Sequence, residues 1–353
     1  MRFVGQLQKR VGWLDTIRAL AILLVVCNHS IEKAYTLNVE SMLGYAWYSR
    51  MMALTFFTLG RLGVPLFFFL SGYLLLDRRY DSRQTRRFYQ RNLLGLLVTT
   101  EVWAVLYNLF NSWYYETPLS LKTLGQNLLF FKQVNMGHMW YMPVILGIYL
   151  FIPFVANALS GTQTKTLYIP AVIAFVYLYV RVELNAVLAA FGHEAVGSVL
   201  DVSFSGGRYG FYLLVGYLVK KGVLDRIPGP ALGTTLVLGF AVTVGVQFLS
   251  YENGVKYNVW YDNATLLLAA LALFVLLSRV QISHPLMENL AHCSFGIYLV
   301  HVPVLLLLGR YMELPRRIFQ FAATAVITLL ISWLLVWFVG KSRWAAKWLF
   351  AMK

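Results

Sequence analysis

Two ionisable residues stand inside an otherwise apolar run, LDTIRALAILLVVCNHS, at Arg18 and His29. Eleven residues of helix make three turns with about 20° left over, so the two side chains share a face about 16 Å apart along the axis. Asp15, three residues before Arg18, falls on that face and can pair with it. Intramembrane ionisable groups are rare and mark substrate or proton paths, while an arginine near a helix end also snorkels to headgroups. A histidine is the natural general base for taking a hydroxyl proton. The pattern therefore points to a protein-walled path with a cation at one end and a base at the other.

Four other places carry chemistry-bearing residues. Ser71, Gly72 and Tyr73 interrupt a run of Phe and Leu, where small residues admit another helix or a ligand and hydroxyls stand in a dry setting. His138 and Trp140 open a further apolar run, at the level where aromatic anchors are ordinary. His301 lies mid-span in SFGIYLVHVPVLLLL, where a buried imidazole needs a partner. Glu101 sits midway along LLGLLVTTEVWAVLYNLF, able to neutralise a His or Arg that the sequence does not name.

Composition says what must position these residues. The chain of 353 residues is 59% hydrophobic and only 13% charged, against about 25% charged for soluble domains. The apolar material comes in runs long enough to cross about 30 Å of hydrocarbon. The expected fold is an all-α, polytopic transmembrane bundle forming one domain over 1–353, with about ten spans. They run roughly 13–35, 51–76, 93–112, 138–159, 166–182, 207–222, 231–250, 262–279, 291–310 and 317–340. The third and sixth are short or polar-flanked. The polar–apolar stretch ETPLSLKTLGQNLLFF reads as a short interfacial helix.

Thirty Lys+Arg against fifteen Asp+Glu give a charge of +15. The basic residues gather in short loops beside spans, as in DRRYDSRQTRRFYQR at 77–91, which fits the positive-inside rule rather than nucleic-acid binding. Both termini are expected in the cytoplasm. Cys27 and Cys293 both fall in or beside apolar segments and suggest no disulfide.

Taken in order, the Arg-x10-His pair at Arg18 and His29, VPLFFFLSGYLLL, HMWYMPVILGIYL, GFYLLVGYLV and SFGIYLVH resemble the acyltransferase-3 family of integral-membrane acyltransferases. The resemblance runs from about residue 12 to 340. It implies acetyl-CoA as a cytoplasmic donor and a hydroxyl of a cell-envelope glycan or glycolipid as acceptor, in a bacterial inner membrane. It implies a catalytic His29, with Arg18 holding the donor or the charge that develops. Arg78 and Arg79 join Arg18 as expected donor-phosphate ligands. Asp15, Ser71, Gly72, Tyr73, His138, Trp140, His301 and Glu101 are the expected substrate-side residues, and no metal is expected. The rival reading is a transporter or flippase for an envelope glycolipid or a small anion. Such proteins often carry inverted repeats and paired broken helices, neither of which stands out here.

Overall fold

A computed structural model describes residues 12–280 and 284–352. The basic N-terminal residues Arg2, Lys9 and Arg10, and Lys353, lie outside the described residues. Among those described there is no strand. Eight helices are long and apolar enough to cross a membrane: α1 Gly12–Ala34, α2 Trp47–Leu75, α3 Ser82–Tyr114, α4 Gly137–Ser160, α5 Thr164–Ala190, α7 Gly229–Glu252, α9 Pro285–Tyr311 and α10 Arg317–Val339. A shorter apolar helix, α8 Ala264–Ser278, falls where the eighth span is expected, and the short helix α6 Gly207–Lys220 where the sixth is. A last short helix, α11 Arg343–Trp348, follows α10.

Two elements differ in extent from their expected ranges. The third helix begins at Ser82, eleven residues early, because Asp81 and Gln84 form a capping box and a π turn over Tyr89–Leu93 carries the polar stretch into the apolar one. The fifth continues to Ala190, where Glu183 is satisfied by Thr265, whose amide and hydroxyl donate to its two carboxylate oxygens at 2.9 and 2.6 Å. The interfacial helix forms over Leu121–Leu128, with the Ser120 hydroxyl accepting from the Thr123 amide.

Burial separates an inner from an outer layer. The most apolar stretches of α1, α2 and α9 are 61%, 72% and 61% buried, against 22%, 17% and 22% for α3, α5 and α10. The outer helices show Ile169, Val172, Val326 and Phe338 to their surroundings, an apolar belt that only lipid would cover without cost. At the centre, α1 packs against α2, α8, α9 and α10.

Close approaches fix the inner layer. A Cβ on Gly72 would stand 2.0 Å from the Leu213 carbonyl oxygen, and one on Gly216 2.2 Å from that of Phe69, so α2 and α6 cross with their backbones in contact. A Cβ on Gly60 would meet Asn28 at 2.6 Å, which sets the middle of α2 directly against the end of α1 that carries His29.

Candidate active site

His29 and its neighbours on α1 are built by helical spacing. Glu32 follows by three residues, and its Oε2 stands 2.8 Å from His29 Nδ1. A carboxylate only accepts, so Nδ1 carries a proton, and in the neutral ring Nε2 keeps its lone pair. The other carboxylate oxygen, Oε1, accepts from Arg61 Nη2 at 3.1 Å. Arg61 is buried near the middle of α2, where the Gly60–Asn28 contact delivers it. Its guanidinium lies 4.5 Å from the ring centres of both Phe57 and Trp260, and Nη1 donates to Tyr261 Oη at 3.2 Å. A cation so clamped is a fixed counter-charge for Glu32.

Two further imidazoles close on His29. The His301 ring centre is 5.3 Å away and that of His138 6.1 Å, with 5.0 Å between those two. Hydrogen bonding sets both tautomers. His301 Nδ1 lies 2.7 Å from the Tyr298 carbonyl, which can only accept, so Nδ1 donates and Nε2 is bare. The Tyr107 hydroxyl donates to the Leu299 carbonyl and leaves its oxygen to accept from His138 Nε2 at 3.0 Å, so His138 Nδ1 is bare. Both bare nitrogens are buried without a partner. Among the described residues no group of His, Cys, Asp or Glu is arranged to hold a metal ion. The cluster can take protons and hydrogen bonds but offers no donor of its own to a carbonyl oxygen.

On the other side of this cluster lies a cavity of about 1140 Å³. Its end beside the imidazoles is apolar and aromatic, with Val25, Tyr141 and Tyr298. Its lining carries Arg18, Arg91, Arg343 and Lys347, and no carboxylate. Arg18 is steadied by Asp15, whose Oδ1 accepts from Nη1 at 3.1 Å. Tyr141 and Tyr298, 5.7 Å apart at their ring centres, separate the cavity from the imidazoles. The Tyr298 hydroxyl reaches across to donate to the His138 carbonyl at 2.7 Å.

The structure thus brings His29, His138 and His301 together, and Arg18, Asp15 and Ser71 to or beside the cavity. Ser71 lines it, with its hydroxyl bonded to the Phe67 carbonyl at 3.0 Å. Gly72 serves the helix crossing, and Tyr73 packs against Trp13 at 5.0 Å. Trp140 stacks on Tyr261 at 5.4 Å, one layer behind Arg61. Glu101 lies in neither the cavity lining nor the imidazole cluster, and Arg78 and Arg79 are exposed in the turn after α2, outside the lining. Glu32, Arg61, Arg343 and Lys347 were not among the residues singled out from sequence, and Arg91 stood out only as one of the arginines of the 77–91 loop. Glu32 had a signal, since it sits three positions after His29 on one helix face. Arg61 had none, because its partner arrives from another helix.

A family model described as an acyltransferase domain matches residues 11–337. No curated protein and no solved structure matches the chain. The match takes in α1 to α10 nearly whole, including every histidine of the cluster, and ends before α11. The chain belongs to the acyltransferase-3 family and is a multi-pass membrane acyltransferase.

Proposed function

We propose that the protein moves an acetyl group from cytoplasmic acetyl-CoA to a hydroxyl of a cell-envelope glycan, in a bacterial inner membrane, with His29 as general base. The observation that carries this reading is the placement of two unlike sites along α1. Arg18 and Val25 line a cation-rich cavity free of carboxylates, and His29 follows one turn later with Nδ1 tied to Glu32 and Nε2 bare. A ligand with a polyanionic head and a narrow, largely apolar arm matches such a cavity.

In the proposed reaction His29 Nε2 takes the proton of the acceptor hydroxyl as its oxygen attacks the thioester carbonyl. The C–O bond forms, the C–S bond breaks, and CoA leaves as the thiolate. The His29 proton then passes to solvent or to the thiolate. Glu32 stabilises the imidazolium formed in between, and Arg61 keeps the carboxylate in place. Arg18, held by Asp15, faces the donor. The bare nitrogens of His138 and His301 add no competing positive charge beside His29.

The test is acetyl transfer from labelled acetyl-CoA in proteoliposomes offered mixed envelope glycolipids. The wild type is expected to label a glycan, and His29→Ala to lose that activity by about 10²- to 10⁴-fold. A wild type that neither binds nor turns over acetyl-CoA would end the transferase reading in favour of a transporter.

A further inference from the structure

The segment after residue 337 lies outside the family match, yet it completes the cavity. Its short helix α11 is capped by Ser342 and docked on α3. Thr99 Oγ1 donates to the Trp348 carbonyl at 3.2 Å, Trp103 Nε1 donates to the Leu349 carbonyl at 2.7 Å, and Phe350 is 2% exposed. This docking turns Arg343 and Lys347 to the cavity, where Arg91 joins them from the π turn of α3.

The charge arrangement asks for an anion. Arg343 and Lys347 are four residues apart on one helix face, where like charges disfavour the helix. Among the described residues neither they nor Arg91 form an ion pair. Positive-inside topology accounts for cations on this side of the membrane. It does not account for their lining a cavity from which every Asp and Glu is absent. The cavity continues to Val25 and Tyr298, near the middles of α1 and α9, deeper than a lipid headgroup at the surface would reach.

We infer that Arg91, Arg343 and Lys347 form a phosphate clamp that reads the phosphates of a nucleotide-bearing donor, its terminal 3′-phosphate included. This rests on the acyl-CoA reading of the same cavity. The C-terminal segment, outside the matched domain, is then a specificity element of the cavity.

The test measures equilibrium binding of CoA and of 3′-dephospho-CoA to the full chain in phosphatidylcholine nanodiscs, so that no anionic headgroup competes. Wild type is expected to prefer CoA about tenfold or more, the scale of a charge-assisted phosphate contact. Arg343→Ala with Lys347→Ala is expected to bind CoA only as well as wild type binds the dephospho form. Exchanging the cations, Arg343→Lys with Lys347→Arg, is expected to keep most of the preference, which separates charge from damage to α11. Equal binding of the two ligands by wild type overturns the clamp, as does an undiminished preference in the double alanine variant, and both leave the donor reading standing. Failure of wild type to bind either ligand overturns the donor reading and the clamp with it.

Discussion

Replacing Glu32 by Gln isolates one charge at the centre of the proposed chemistry. Both carboxylate oxygens are in use, Oε2 by His29 Nδ1 at 2.8 Å and Oε1 by Arg61 Nη2 at 3.1 Å. An amide of the same shape has one acceptor for these two donors, so one contact must break. A full charge pair at 4 Å is worth about 4 kcal/mol at an effective dielectric of about 20. The Glu32 side chain is 32% exposed, and Arg61 shares its charge, so that figure is too high for the imidazolium alone. The range for hydrogen bonds to charged groups, about 1.5–3 kcal/mol, is the better measure. It corresponds to a loss of about 10- to 150-fold in kcat. Because Glu32 does not line the donor cavity, the KM for acetyl-CoA should stay within about twofold. Initial rates of label transfer in proteoliposomes, taken over a range of acetyl-CoA, give both parameters. In a cycle with His29→Ala, the second substitution should cost almost nothing once the first is present. A kcat within twofold of wild type would refute the oriented-base argument, as would a loss confined to KM.

Three other outcomes follow from placement. Gly72→Ala forces apart the α2–α6 crossing, since its Cβ would lie 2.0 Å from a backbone oxygen; it should destabilise by about 1–3 kcal/mol or more, read as a lower unfolding midpoint in detergent. Glu101→Gln should leave transfer rates within twofold, because Glu101 reaches neither the cavity nor the imidazoles; a loss of tenfold would return it to the site. Arg18→Ala should weaken acetyl-CoA binding by about tenfold, while Arg78→Ala with Arg79→Ala should not change it, as measured by equilibrium binding in nanodiscs.

What the sequence made legible was whatever depends on one helix at a time. Hydropathy located the long apolar helices because length and apolarity are properties of a segment, and eleven-residue spacing put Arg18 and His29 on one face of α1. The motif residues His138 and His301 do meet His29, but nothing in their own segments says that the three rings stand 5–6 Å apart. The donor side was harder. Six arginines in the 77–91 loop look alike in sequence, and only the π turn over Tyr89–Leu93 turns Arg91 to the cavity while Arg78 and Arg79 stay outside. Arg343 and Lys347 read as topology-setting charge until the docking of α11 on Thr99 and Trp103 gives them a direction. Arg61 was hidden for a different reason. It becomes a buried cation only because Gly60 lets α2 touch α1 and because Trp260 and Tyr261 arrive from two hundred residues away.

The same geometry explains why the Arg–His spacing is what it is. Arg18 lines the cavity at one end of a three-turn stretch, Val25 lines its deep end, and His29 lies one further turn, about 6 Å, beyond Val25. A shorter spacing would place the base within the cavity that Arg18 and Val25 line. A longer one would carry it past Tyr107, His138 and His301, whose hydrogen bonds run to the Leu299 and Tyr298 carbonyls of α9 and so fix a single level in the bundle. Between the two sites stands only the layer of Tyr141 and Tyr298. Tyr298 belongs to both, lining the cavity with its ring and holding the His138 carbonyl with its hydroxyl. In the proposed reaction a thioester held in the cavity passes this layer to meet His29. In that reaction the donor's charged head stays on the cations of the cavity throughout, a physical reason for one helix to carry both ends of the path.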